Sequence, residues 1–203
     1  MRTYSCPLAP TALFSTCVIG GVALLLPAPA SGATITLTAT LSGAHENPPN
    51  ASPGTGTVRV DYNDVTHKIF VEATFSGLLS NTTAAHIHSP GPPGVNGPVA
   101  TQVPSFSGFP LGVTSGTFSN SFDLTQASSW NPAFIAAHGG TTAGAEAALR
   151  ESFLAGTAYF NIHTEQFGSG EIRGNLVVIP APLAAPLGGL GIAAFAARRR
   201  RTL

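Results

Sequence analysis

The chain has 203 residues, 23 of them glycine and 17 proline, which fits one turn-rich domain with appendages and argues against an architecture of long helices. Its formal charge of zero hides an uneven distribution, because four of the nine basic residues, Arg198 to Arg201, sit together near the C-terminus. Residues 34–179 hold four basic residues against all nine acidic ones, a net of −5, so the body has no basic stripe for phosphate and nucleic acid is excluded as the expected partner.

Residues 1–33 read as an export signal: Arg2 near the start, an apolar stretch from Ala12 to Leu26, and small residues in "APASGA" suited to cleavage after Ala30 or Ala33. Both cysteines, Cys6 and Cys17, fall in this segment. Cys17 is a poor candidate for lipid attachment, since Phe14, Ser15 and Thr16 before it do not make a small-residue lipobox. A processed domain would therefore have no disulfide and no thiolate chemistry, and its stability would come from packing.

Period-two alternation then recurs along the body. In "TITLTATL" Ile35, Leu37, Ala39 and Leu41 alternate with threonines, as in a half-buried strand. The same pattern marks "TVRVDY" (Val58, Val60, Tyr62), "KIFVEATF" (Ile69, Val71, Ala73, Phe75), "AYFNIHT" (Ala158, Phe160, Ile162) and "GEIRGNLVV", where Ile172 and Leu176 point inward and Glu171, Arg173 and Asn175 outward. Weaker strand candidates lie at 82–88, 99–103 and 113–122. Seven or eight short strands predict an all-β antiparallel sandwich. A short helical insertion interrupts it. "WNPAFIAAHGG" offers Asn131 as N-cap, Pro132 at the first helical position and Gly139 after the last turn, and in "TTAGAEAALRESFLAG" Ala145, Leu149 and Phe153 recur four apart before Gly156.

The residues that carry chemistry are few. His86 and His88 in "AAHIHSPGPPGVNGPV" are two apart, so on a strand both imidazoles face the same way and can reach one ion while Ile87 points to the core. By the same alternation His163 faces outward with Tyr159 and Asn161, which makes His86, His88 and His163 the candidate metal ligands, with Glu46 or Glu171 as further oxygen ligands and zinc or copper(II) as the fitting ions. The competing reading is structural: these histidines donate to carbonyls of the proline-rich loop, and His163 caps its strand's exit. "GEIRG" reads first as tight strand geometry with Glu171 and Arg173 paired, and Glu46 as the acceptor of a turn. No nucleophile elbow, no processed-chain cysteine and no phosphate-cradling glycine loop is present, so no catalytic residue is expected.

From Leu176 to Ala197 the chain carries 22 uncharged residues and then "RRRRTL". This is just long enough to cross a bilayer, with the arginines cytoplasmic and the domain outside. The proline spacing in "IPAPLAAPLGGL", the short apolar stretch and the arginine cluster together resemble the PEP-CTERM sorting signals of Gram-negative bacteria, most closely the VPLPA variant, with Ala181 where the commoner form has Glu. The resemblance implies recognition and removal of residues 178–203 by an exosortase in the inner membrane, and delivery to the cell surface or a biofilm matrix where an exopolysaccharide or a surface protein is the partner.

Four segments in order, "LSGAHENPP", "AHIHSPGPPGVNGPV", "LAGTAYFNIHT" and "GEIRGNL", resemble a CHRD domain, the module named for its repeats in chordin, over residues 34–177. That resemblance implies an immunoglobulin-like or superoxide-dismutase-like sandwich and assigns no activity. Copper-zinc dismutases also use a His-x-His strand, but His45, His67 and His138 do not supply their bridging and zinc ligands. The sequence thus supports an exported, non-enzymatic binding or structural module. The alternative is a zinc or copper protein with dismutase-like redox activity.

Overall fold

The protein is described by a computed structural model covering residues 34–180. The expected signal segment and residues 181–203 of the expected sorting segment lie outside the described residues.

Eight strands form: β1 (Ile35–Ser42), β2 (Thr55–Asn63), β3 (Lys68–Ser76), β4 (Thr82–His88), β5 (Gly116–Asp123), β6 (Tyr159–Thr164), β7 (Ile172–Asn175) and β8 (Val177–Val178). All pairs are antiparallel, and the strands join in one hydrogen-bonded path, β4-β6-β7-β1-β2-β3-β5, with β8 on β1. The all-β expectation therefore holds, with the two layers produced by one sheet curling on itself. Phe106 shows the curl: its ring lies 5.9 Å from Phe118 of β5 and 6.1 Å from Phe160 of β6, strands near opposite ends of the path.

The inward residues expected from alternation fill the core. Leu37, Leu41, Val60, Val71, Phe160, Ile162 and Ile172 are all fully buried. At about 25 cal/mol per Å² of apolar surface, such burial stabilises the described residues, which contain no cysteine. The expected strand at 99–103 reduces to two isolated bridges, His88↔Val99 and Thr101↔Trp130, because Ala100 and Thr101 lean on β4 through their N–H bonds to the Ile87 carbonyl while the prolines nearby cannot continue a ladder.

Helix α1 (Pro132–Ala137) is capped by the Asn131 side chain accepting from Ala133 N, and α2 (Thr142–Ala155) by Thr141 accepting from Gly144 N. It ends at Gly156 in the left-handed region, φ +66°, as the sequence predicted. Ala145, Leu149 and Phe153 dock on the sheet, with Phe153 6.0 Å from Tyr62.

Two expectations need correction. The uncharged run counted from Leu176 begins inside the domain: Leu176 is fully buried, Val177 and Val178 pair with Thr38 and Leu37, and Ile179 N donates to the Thr36 carbonyl. The sheet thus runs on to Val178, so the first residues of the uncharged run belong to it. No helix among the described residues is long and apolar enough to cross a membrane.

The second correction concerns the outward face of β4, β6 and β7, which is not wet. Glu171 is fully buried, Arg173 and Asn161 are 1 % exposed, and Tyr159 is 2 % exposed. Loops fold back over these strands, and the outward side chains hold them. Arg173 donates to the carbonyls of His45 and Val95, Asn175 to that of Gly91, and Glu171 accepts from Ser52 and Leu79 N. A buried polar layer results, sealed between sheet and loops.

Candidate metal centre

Antiparallel register decides which outward side chains meet. On β4 and β6 the pairs are Ala84↔His163, His86↔Asn161 and His88↔Tyr159, so His163 sits diagonal to His86 on the same face. The three imidazoles converge. Ring centroids are 5.8 Å apart for His86 and His88, 5.1 Å for His86 and His163, and 5.9 Å for His88 and His163. One ring nitrogen from each lies within 4.8 Å of the others. Around one zinc ion, at about 2.0–2.1 Å per Zn–N bond, such nitrogens stand roughly 3.3–3.5 Å apart, so a modest inward closure completes the geometry.

Each ring has one nitrogen tied and one left over. His86 Nε2 is 2.8 Å from the Pro104 carbonyl, His88 Nδ1 2.9 Å from that of Gly97, and His163 Nδ1 2.9 Å from that of Gly168. A carbonyl only accepts, so each tied nitrogen carries the proton and each remaining nitrogen presents a lone pair. Those remaining atoms, His86 Nδ1, His88 Nε2 and His163 Nε2, are all buried and without a partner. The structural and metal readings of the sequence are therefore compatible. A carbonyl on the far nitrogen is the arrangement that fixes tautomer and ring orientation in metal-ligating histidines.

Burial holds all three rings neutral. It lowers His86 to about 4, reinforced by the nearby His163, and lowers His88 to about 4 against the raising effect of the Gly97 carbonyl. His163 is lowered by burial as well. Neutral imidazole is the form that binds a cation.

The glycine-proline loop has a defined task here. Gly97 supplies the carbonyl for His88, and its N–H donates to the Tyr159 hydroxyl at 3.2 Å. A Cβ on Gly97 would run into the Pro90 carbonyl, so only glycine permits this approach. Tyr159 stacks on His88 at 4.6 Å with 10° between planes, and the Arg173 guanidinium lies over the Tyr159 ring, 4.5 Å from its centroid.

The two carboxylates expected as further ligands are placed elsewhere. Glu171 Oε1 accepts from Ser52 Oγ and Leu79 N, both at 2.6 Å, and Oε2 from Thr164 Oγ1 at 2.7 Å. It ties three segments together and is not in the group of side chains that could share one ion with the histidines. Glu46 lies 4.0 Å from Arg173 Nε, outside the histidine group, and burial raises it to about 7 despite that arginine. Asn161 is the residue that sequence reading passed over. Alternation placed it outward, but only the register sets it between His86 and Arg173.

A groove of about 920 Å³ is lined by Thr38, Thr40, Thr57 and Thr74 with Arg59 and Glu72, and by residues of the 44–49 loop, Glu46 among them. None of the three histidines lines it, so its size does not make it the chemical site.

The CHRD domain family model matches residues 37–176, which take in β2 to β7, all of β1 but its first two residues, and every residue of the site. The chain belongs to the CHRD domain family. No curated protein and no solved structure is similar enough to this chain to count as a match. Membership in this CHRD family agrees with an extracellular, binding-type domain.

Proposed function

We propose that this CHRD protein is an exported binding module that holds one zinc or copper(II) ion through His86, His88 and His163. The observation that carries the reading is the set of three buried, unpartnered ring nitrogens, each on a neutral imidazole whose other nitrogen is fixed by a carbonyl. Leaving three buried acceptors unpaired costs of order 1–3 kcal/mol each, a penalty that a shared cation removes. Three nitrogen donors suit zinc or copper(II) and not calcium, which takes oxygen.

The role is binding, not turnover, and the proposed localisation is the cell envelope or surface, reached by the N-terminal signal and an exosortase acting on residues 178–203. An exopolysaccharide or a surface protein is the proposed partner. The segment features described from the sequence support this part, and mass spectrometry of the exported protein tests it: a C-terminus intact to Leu203 rejects the sorting step.

Elemental analysis after dialysis against zinc or copper tests the centre. One equivalent per chain is expected, lost in His86→Ala and His163→Ala and kept in His45→Ala, whose side chain is exposed. Absence of bound metal in the unaltered chain, or equal binding in all variants, rejects it.

A further inference from the structure

Beside the three histidines lies a second group of buried atoms with nothing to bond. Arg173 Nη2, Asn161 Oδ1 and Glu46 Oε1 are each buried and unpartnered. They are neighbours. Asn161 pairs in register with His86 on one side and Arg173 on the other, and a Cβ on Gly170 (φ +129°) would meet both the Asn161 amide and Glu46 Oε1. The guanidinium cannot turn away, because Nε is held by the His45 carbonyl at 2.6 Å and Nη1 by Asn96 Oδ1 at 2.8 Å. Only Nη2 remains to donate.

Charge accounting points the same way. The histidine group contains no carboxylate among the described residues, and Glu171 is committed to Ser52, Leu79 and Thr164. A divalent ion on three neutral imidazoles keeps its full charge. Arg173 adds one positive charge nearby, and Glu46 offsets at most that one. Burying such an excess is costly unless an anion enters with the metal. Halides do not fit the orphaned atoms, which comprise one donor and two acceptors. The complement is a small oxyanion with acceptor oxygens for Nη2 and the metal and one hydroxyl to donate to Glu46 or Asn161.

We infer that the buried, unpartnered atoms of Asn161, Glu46 and Arg173 bind a small hydroxyl-bearing oxyanion of the bicarbonate class as a partner of the trihistidine-bound metal. This rests on the proposed metal centre and adds to it the class of ligand. Glu46 in its ionised form is the selectivity determinant, since its oxygen then accepts from an anion that carries O–H and repels one that does not. Formate, of similar size but without the hydroxyl, is the discriminating probe.

The purified full chain is loaded with cobalt(II), its stoichiometry is measured, and its visible spectrum is followed during titration with sodium bicarbonate and, separately, sodium formate. Bicarbonate is expected to shift the spectrum saturably and to bind about tenfold or more tightly than formate, the worth of one buried hydrogen bond. In Glu46→Gln, which is nearly isosteric and lacks the charge, formate should tighten until the preference is gone, with cobalt stoichiometry unchanged. Failure to bind zinc, copper and cobalt alike overturns the metal centre itself. One equivalent of cobalt with a spectrum indifferent to both anions, or equal affinities that Glu46→Gln does not alter, overturns the anion site and leaves the metal centre standing.

Discussion

Glu171 shows how much one side chain can decide at the residue scale. Its carboxylate accepts from Ser52, Leu79 N and Thr164, and Asn50 Nδ2 donates to its carbonyl at 3.0 Å, so one buried residue joins the 50–54 loop, the β3–β4 connection and the end of β6. Charge-assisted bonds of this kind contribute about 1.5–3 kcal/mol each to stability when intact. Glu171→Gln keeps the shape, but its amide must face a donor or force the Thr164 hydroxyl, which also accepts from Phe167 N, to reorganise. A loss of roughly 1–3 kcal/mol in urea unfolding is expected, with metal stoichiometry retained in the folded fraction. An unchanged midpoint would show that the carboxylate is dispensable.

Pairing between elements fixes how the helices sit and how the loops are sealed. Helix α2 docks through a polar cluster as well as through apolar contacts: buried Glu146 accepts from the buried Tyr62 hydroxyl at 2.9 Å and lies 2.9 Å from Nδ1 of the exposed His67 at the β2–β3 turn. The Tyr62 hydroxyl is held strongly protonated by its burial and by this carboxylate. Tyr62→Phe removes the donor and leaves Glu146 under-bonded, at a cost of about 1.5–3 kcal/mol. Amides of α2 should then exchange with deuterium faster than those of β1, β2 and β3. Uniform exchange across both would mean that the cluster does not anchor the helix.

Across the whole molecule, the buried polar layer makes stability depend on pH in two opposed ways. His86 and His88 are lowered to about 4 and His163 is lowered too, so as pH falls below 6.5 the unfolded chain takes protons that the folded chain refuses, and stability drops. Glu46 is raised from 4.5 to about 7, so between those values the folded chain keeps a proton that the unfolded chain has released, and its contribution falls as pH rises. Three protons outweigh one. The metal-free protein is therefore expected to gain stability from pH 5 to about 6.5 and then flatten, measured by urea unfolding with chelator present. Glu46→Gln should steepen the acid-side rise, and a flat profile over pH 5–6.5 would contradict the buried neutral histidines.

Much of this was legible in the chain, for a local reason. Strands with one face in the core announce themselves by alternation, and helix ends by Asn131 and Gly156, because those signals depend only on neighbours in sequence, whereas the Thr141 cap of α2 emerged from the structure. His86 and His88 were readable as a pair since two-residue spacing puts them on one face whatever the fold. Other features needed contacts distant in sequence. Alternation put Glu171, Arg173 and Asn161 correctly on the outward face, yet whether that face meets water depends on the loops at 43–54, 89–98 and 165–170 returning to cover it. Sequence alone determined most of the strands, the Asn131 and Gly156 caps and the His-x-His pair, though not that 99–103 reduces to isolated bridges. The register of β4, β6 and β7 decided that His163 joins that pair, that Asn161 stands between it and Arg173, and that both carboxylates are placed elsewhere, because register and loop closure arise only when the whole sheet curls and packs.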